Sequence, residues 1–161
     1  MIIIDGHNLL WAVQKPFGSG EQTESISDVQ LCQIIGRYLK QTGESGEIIF
    51  DGIGPTDKSG FDNIATLQVL FVGRATDADT VIEEKIRAST APRRLTVVSS
   101  DRRLRKAAQT RKATAVKSEV FWDDVQKLLS RKKAPKEPPE KRLGLTESET
   151  ELWLEIFGLE Q

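Results

Sequence analysis

Short runs of apolar residues alternate along the chain with longer stretches in which apolar residues recur every three or four positions. Short apolar runs are typical of buried strands, and the longer period is typical of helices. The pattern predicts five strands, at residues 1–5, 47–50, 67–72, 95–100 and 114–116. It predicts helices at residues 25–41, 79–88, 101–109 and 121–129. A turn at Gly6 and a glycine-rich loop at residues 17–20 are predicted to precede the first helix.

Strands that alternate with helices predict an α/β fold of three layers. A central, mostly parallel sheet would be flanked by helices and joined by right-handed crossovers. The 161 residues suffice for one domain with a short appendage. Residues 1–130 are the predicted domain, and residues 131–161 are predicted to form a basic, proline-rich linker and a C-terminal amphipathic helix.

Composition narrows the class of protein. The chain is 38% hydrophobic and 29% charged, and no apolar run approaches the ~20 residues that cross a bilayer. The first residues lack the basic region and cleavage site of a signal peptide, so a cytoplasmic protein without a membrane partner is expected. The single cysteine, Cys32, lies in a partly apolar helical stretch and is predicted to be a buried structural thiol.

Charge is segregated along the chain although the net charge is only −1. Residues 1–84 carry 13 acidic and 5 basic side chains, residues 85–142 carry 6 acidic and 18 basic ones, and residues 143–161 carry 5 acidic ones alone. An acidic site beside a basic platform would serve a protein that brings metal ions to a polyanion. A solvated basic surface balanced by an acidic tail would give the same counts.

Acidic side chains follow three of the predicted strands. Asp5, Asp51 and Asp101 come directly after strands. Asp79 opens a predicted helix and places Glu83 one turn later on the same face. In an open parallel sheet such residues meet at the carboxyl edge, where a carboxylate cluster calls for hard cations such as Mg²⁺ or Mn²⁺. The pattern predicts a divalent metal site that activates water for phosphodiester hydrolysis.

Each of these residues also has a purely structural interpretation. Asp51 precedes Gly52 as in a common turn, and Asn8 could likewise be a turn residue. Asp79 and Asp101 stand at predicted helix starts, where an N-cap role would explain them. The coincidence of four strand-linked acids in one topology favours a shared site.

Three segments carry a resemblance to a known family: residues 3–10 (IIDGHNLL), 78–83 (ADTVIE) and 97–101 (VVSSD). In order and spacing they resemble the motifs of YacP-type NYN domains, a branch of the PIN-like nucleases, and the likeness runs over nearly the whole chain. The resemblance implies a PIN-like, Rossmannoid fold and metal-dependent hydrolysis of single-stranded RNA. Because the family includes an endoribonuclease that acts on mRNA at the bacterial ribosome, it also makes the ribosome a candidate partner.

The resemblance assigns roles to acidic and amide side chains. The principal catalytic and metal-binding acids would be Asp5, Asp79 and Asp101, supported by Asn8. Further candidate metal ligands are Asp51, Asp77 and Glu83. The sequence departs from the family at His7, its only histidine, where an aromatic residue is common. His7 could bind phosphate or tune a ligand, or be hydrogen-bonded for structure alone.

Basic and aromatic residues extend the prediction to RNA binding. Six cations flank Asp101 in the sequence and are expected to draw phosphates to the acids: Arg93, Arg94, Arg102, Arg103, Arg105 and Lys106. Helix-surface arginines that are merely solvated are the alternative. Trp11, Phe17 and Trp122 could stack on RNA bases, although core packing is expected for most of them.

Several other functions of α/β proteins are alternatives to an endoribonuclease. A non-catalytic RNA- or ribosome-binding module would keep the fold without cleavage, and the intact acids Asp5, Asp79 and Asp101 argue against it. No P-loop and no glycine-rich dinucleotide fingerprint occur, so nucleotide kinases and dinucleotide-linked oxidoreductases lose support. Phosphatases with an aspartyl nucleophile need a second acid two residues after the first, and this chain has His7 at that position.

Overall fold

The structure, a computed structural model, describes residues 1–14 and 26–131. Its five strands are β1 (Ile2–Asp5), β2 (Gly46–Phe50), β3 (Leu67–Phe71), β4 (Thr96–Val98) and β5 (Thr114–Val116). Its helices are α1 (Gly6–Gln14), α2 (Asp28–Thr42), α3 (Ala78–Ala88), α4 (Arg102–Thr110) and α5 (Ser118–Ser130), with 3₁₀ turns at Ser59–Phe61 and Pro92–Arg94. The predicted glycine-rich loop and, beyond residue 131, the predicted linker and C-terminal helix lie outside the described residues.

All five strands form one parallel sheet in the order β3-β2-β1-β4-β5. The central strand β1 pairs with β2 on one side and β4 on the other, so that Ile4 lies opposite Ile48 and Val98. The chain first builds outward from β1 through β2 to β3, then crosses back to add β4 and β5. Strand order therefore reverses at the boundary between β1 and β4, where α/β proteins form their functional crevices.

Helices cover both faces of the sheet. Ile2 and Ile4 pack with residues of α1, α2 and α5 on one face, and Ile3 packs with residues of α3 and α4 on the other. Successive side chains of a strand point to opposite faces, so a strand covered on both sides is apolar at every position. This burial on both faces explains the unbroken apolar run at the start of the chain. The predicted three-layer α/β fold is confirmed.

The segment after β1 differs from the sequence-based expectation. The predicted turn at Gly6 is wrong, because α1 begins at Gly6 itself. A Cβ at Gly6 would lie 2.5 Å from the Phe50 ring, so glycine lets the start of α1 approach β2. Asp5 Oδ1 accepts a hydrogen bond from the Asn8 backbone N–H at 3.1 Å and satisfies a donor of the first turn. Glycine has low helix propensity, which conceals this helix start in the sequence.

Three other helices begin at polar N-caps, of which only Asp101 was predicted from the sequence. Ser27 and Gln30 form a capping box at the start of α2, with reciprocal side-chain and backbone hydrogen bonds. Asp77 caps α3 and Asp101 caps α4. None of the helices in the described ranges is long and apolar enough to span a membrane.

The thiol of Cys32 offers a test of the packing between α2 and the sheet. Burial raises the pKa of Cys32 to about 12, with a contribution from the negative charge of Asp28. The raised pKa contributes to the free energy of unfolding in full at pH values below 9.0, the ordinary pKa of a thiol. This contribution is lost as the pH rises from 9.0 towards about 12. At pH 8.5 native Cys32 should alkylate roughly a hundredfold or more slowly than in urea-unfolded protein. Equal rates in mass-spectrometric time courses would contradict the buried position.

Candidate active site

The candidate site lies at the carboxyl edge of the sheet, at the boundary between β1 and β4. Asp5 is the last residue of β1, and residues 99–101 follow β4 directly. The first turns of α3 and α4 reach the same edge, because each helix follows a strand of this parallel sheet. The topology thus brings together the Asp5, Asp79 and Asp101 regions from three distant parts of the sequence.

Asp5 is the buried acid of the site, with only 6% of its surface exposed. Its Oδ1 accepts from the Asn8 backbone N–H and its Oδ2 accepts from the Ser99 hydroxyl at 3.0 Å. Burial raises the pKa of Asp5, although these two hydrogen bonds act in the opposite direction. The nearby negative charges of Asp79 and Asp51 raise it further.

Ser99 joins two of the acids. Its hydroxyl donates to Asp5 Oδ2 and accepts from the Asp101 backbone N–H at 3.1 Å, and the residue is fully buried. Ser99 therefore fixes both the orientation of the Asp5 carboxylate and the backbone position of Asp101. The sequence pattern does not indicate this role for Ser99, since a serine after a strand has many explanations. Its only signal was its place inside the VVSSD segment.

Asn8 supports the site through the hydrogen bonds of its side chain. Its Oδ1 accepts from the Ser100 backbone N–H and from the Ser118 hydroxyl, each at 2.8 Å. Ser100 in turn donates from its hydroxyl to Glu119 at 2.5 Å and accepts from the Ser118 backbone N–H. These bonds tie the start of α1 to the loop after β4 and to the start of α5. The contacts of Asn8 are those of a positioning residue.

Asp101 is both the N-cap of α4 and an acid of the candidate site. Its Oδ1 accepts from the backbone N–H groups of Arg103, at 2.6 Å, and Leu104, at 3.2 Å. The N-cap interpretation is therefore correct for this residue. Both bonds use the same oxygen, and no described residue donates a hydrogen bond to Oδ2. A carboxylate can accept on either oxygen, so Asp101 can cap α4 and still offer Oδ2 to the site.

Asp77 and Asp79 divide the two roles available at the start of α3. Asp77 is the N-cap: its carboxylate accepts from the Thr80 backbone N–H at 2.8 Å and from the Thr80 hydroxyl at 3.1 Å. These hydrogen bonds lower the pKa of Asp77. Asp79, in the first turn, receives no hydrogen bond from any described residue. The predicted N-cap alternative for Asp79 is wrong, because the helix is capped two residues earlier.

Several charged side chains of the site act on the pKa of Asp79. Burial raises the pKa of this half-buried carboxyl, and the negative charge of Asp101 raises it further. Asp77 and Asp51 add to that rise, and Arg103 counteracts it. An acid with several acidic neighbours and no hydrogen-bond donor is an unsatisfied anion that a cation would stabilise.

Asp51 and His7 connect β2 to the helices around it. Asp51 Oδ1 accepts from the Ala78 backbone N–H at 2.7 Å, at the start of α3. His7 Nδ1 accepts from the Asp51 backbone N–H at 3.2 Å, and the His7 ring stands edge-on to Phe50. A nitrogen that accepts a hydrogen bond carries no proton, so the 3.7 Å approach of the Asp51 carboxylate to the same atom is not an ion pair. His7 is half exposed.

The six predicted RNA-binding cations do not share one location. Arg93 and Arg94 form the 3₁₀ turn before β4, and the Arg94 carbonyl accepts from the N-terminal amine of Met1, which precedes β1. They lie at the amino edge of the sheet, so their predicted place beside Asp101 is wrong: β4 separates them from it. The remaining four belong to α4: Arg102, Arg103, Arg105 and Lys106. Of these, Arg103 reaches the acids, and its Nε lies 2.8 Å from Glu83 Oε1.

The three candidate stacking aromatics also separate. Trp122 is 7% exposed and packs in the core with α1 and α2, as core packing predicts. Trp11 is 70% exposed on α1, one helical turn after His7. Trp11 therefore does not pack in the core, and Phe17 lies outside the described residues.

Comparisons with known proteins show the family of the chain and agree with its fold. Residues 2–154 match the family described as the YacP-like NYN domain. The chain belongs to the YacP-like NYN domain family. Its fold is similar to crystal structures of Rae1 (YacP) from Bacillus subtilis. One, at 20% identity and a TM-score of 0.63, covers 98% of this chain and 87% of that one. A point mutant, also at 20% identity, has a TM-score of 0.58 and covers 81% and 77%. No curated protein sequence matches the chain.

Membership of the NYN family confirms the resemblance seen in the three motifs and supports a nuclease-type function related to RNA. In the described parts of this NYN domain, no group of three or more His, Cys, Asp or Glu side chains is arranged to hold a metal ion. Mg²⁺ usually keeps several waters and binds proteins through only one or two carboxylates. The all-oxygen donor set around Asp79 therefore fits a hydrated hard cation rather than a cage made by the protein alone.

The raised pKa of Asp79 predicts that the site destabilises the fold at neutral pH. A raised pKa contributes stability that is present below the ordinary value of 3.8 and is lost as the pH rises through the raised value. In chelator at pH 7, Asp79→Asn should therefore raise the melting temperature by roughly 2–4 °C. The gain should vanish below pH 3.8.

Two controls accompany this melting experiment. Asp77→Ala removes the α3 cap and should lower the melting temperature. Asp62→Asn changes an exposed acid in the loop before β3 and should leave it unchanged. A destabilised Asp79→Asn protein at pH 7 would show that the carboxylate has a stabilising partner.

Proposed function

We propose that this NYN domain is a metal-dependent endoribonuclease that hydrolyses phosphodiester bonds of single-stranded RNA. The observation that carries the proposal is Asp79: a half-buried carboxylate with no hydrogen-bond donor among the described residues, at the strand-order reversal and near four other aspartates. Folding places a cluster of negative charges, which Arg103 offsets only in part, where α/β proteins act on ligands. Such clusters are found at functional sites more often than by chance.

Mg²⁺ or Mn²⁺ would be held by Asp79 together with Asp5 or Asp101. When bound, the cation would supply positive charge for the phosphodiester transition state and make an attacking water more acidic. Asp51, Asp77 and Glu83 are less suited to direct binding. Asp51 Oδ1 and both Asp77 oxygens accept hydrogen bonds, and Glu83 pairs with Arg103.

The protein's own groups would position the reactants. Ser99 and the Asn8 backbone hold the Asp5 carboxylate in one orientation, so the site needs little rearrangement during the reaction. Arg103 lies near enough to Asp79 and Asp77 to affect the pKa of each, and it would bind the phosphate next to the acids. Preference for RNA, and the ribosome as a place of action in the cytoplasm, are proposed on the strength of the family.

A non-catalytic RNA-binding module is the second candidate. It is favoured by the lack, in the residues described, of three side chains arranged to hold a metal ion. Such a module would bind RNA through its cations and leave it intact. Cleavage assays distinguish the two functions.

The test is incubation of the full chain with end-labelled, unstructured RNA in Mn²⁺, in Mg²⁺ and in chelator. We expect internal cleavage that requires the metal, because the acids alone would repel the phosphate. Asp79→Asn, Asp5→Asn and Asp101→Asn should each slow cleavage by about two orders of magnitude or more, the scale for loss of electrostatic transition-state stabilisation.

The matched control is Asp62→Asn, which removes one exposed carboxylate from the loop before β3, leaves the hydrogen bonds of the site acids in place and should cleave as the unmodified protein does. Cleavage that survives chelator, or that persists in all three site variants, would refute the metal mechanism. RNA bound tightly but never cut would identify the non-catalytic module.

A further inference from the structure

A groove of about 440 Å³ runs between α3 and α4 on the outer side of the sheet. Both helices begin at the carboxyl edge, and the ion-paired Glu83 and Arg103 line the groove at the end nearest that edge. Ile86 and Ala107 form its apolar floor. The far end is marked by Arg87, in the last turn of α3, and by Arg111, which ends α4.

Positive charge dominates this groove. Four cations line it: Arg87, Arg103, Lys106 and Arg111. Glu83, the single acid among the described residues that line it, is paired with Arg103. An apolar floor below a cationic rim is complementary to a nucleic-acid strand, whose bases and sugars are partly apolar and whose phosphates are anionic.

The far end of the groove is fixed in position. The Arg111 guanidinium donates from Nη2 to the carbonyl of Ser89, the residue that ends α3, at 3.0 Å. This bond holds one cation across the mouth of the groove. From Arg103 to Arg111 the helix rises about 12 Å, the length of about three stacked nucleotides at roughly 3.4 Å each.

We propose that the α3–α4 groove binds the RNA strand on one side of the scissile phosphate, with Arg87, Lys106 and Arg111 contacting successive phosphates. The proposal rests on the proposed function for the identity of the ligand and adds the path along which the strand reaches the acids. Arg102 and Arg105, which do not line the groove, have no part in it. Arg87 and Arg111 are RNA contacts that the sequence motifs do not indicate.

The test measures binding apart from cleavage. A fluorescent, unstructured twelve-nucleotide RNA is titrated with the full chain in chelator, where no hydrolysis is expected, at several salt concentrations. Arg87→Gln/Arg111→Gln should weaken binding about tenfold and reduce the salt slope by roughly 1.4, since each phosphate contact of a single strand contributes about 0.7. Arg87→Gln/Lys106→Gln should behave alike and leaves the Arg111–Ser89 bond in place.

The matched control is Arg37→Gln/Lys40→Gln. It removes the same charge from another groove, of about 610 Å³, between α2 and the loop before β3. Its affinity should change less than about twofold, since distant surface charges are screened. Thermal melting confirms that each variant is folded.

The outcomes separate this inference from the proposed function. Unchanged affinity and salt slope in folded Arg87→Gln/Arg111→Gln and Arg87→Gln/Lys106→Gln overturn the groove, whether or not the protein cuts RNA. An equal loss in the Arg37→Gln/Lys40→Gln control also overturns it, because binding would then follow net charge. Selective loss in the groove variants supports it even if no cleavage is seen, in which case only the endoribonuclease proposal fails. A protein that binds no RNA at all overturns both.

Discussion

The buried carboxylate of Asp5 is the constraint on which the site depends. A charge at 6% exposure is tolerated only where hydrogen bonds replace water, and here the Asn8 backbone and the Ser99 hydroxyl do so. The Asn8 bond requires α1 to begin immediately after β1, and that start in turn requires glycine at position 6 against Phe50. The Ser99 bond requires β4 to lie beside β1. The central strand, its following helix and the strand-order reversal are thus linked through one side chain.

Helix capping decides which acids are left for chemistry. Asp77 and Asp101 both satisfy backbone donors at helix starts, which stabilises α3 and α4. Because Asp77 takes the cap, Asp79 accepts no hydrogen bond from the described residues and lies near other acids. The same local rule that begins the helix therefore leaves a negative charge that Arg103 offsets only in part. A site of this kind weakens the fold, as functional sites commonly do.

Much of the fold could be predicted from the sequence, because a parallel sheet covered on both faces leaves a strong pattern. Each strand appears as a short apolar run, and α2 appears as a stretch with apolar residues at helical spacing. The start of α1 could not be predicted, since its cause is the approach of Gly6 to Phe50, a residue 44 positions away. Helix propensity depends on the residue type alone and does not reflect such a distant contact.

The site was predictable in its residue types and less so in its geometry. Strand ends pointed to Asp5 and Asp101, but the choice between Asp77 and Asp79 depended on which one capped α3. Ser99 and Ser118 became visible only through their hydrogen bonds. Arg93 and Arg94 were expected beside Asp101 because they are close to it in the sequence. In the structure the length of β4 separates them from Asp101.

Direct measurement of Mn²⁺ binding tests the central claim that the acids around Asp79 form a cation site. Electron paramagnetic resonance of the RNA-free protein should show saturable Mn²⁺ binding. We expect Asp79→Asn to weaken that binding by about tenfold or more and Asp62→Asn to leave it unchanged. Absence of saturable binding, or equal affinity in the unmodified and Asp79→Asn proteins, would contradict the account.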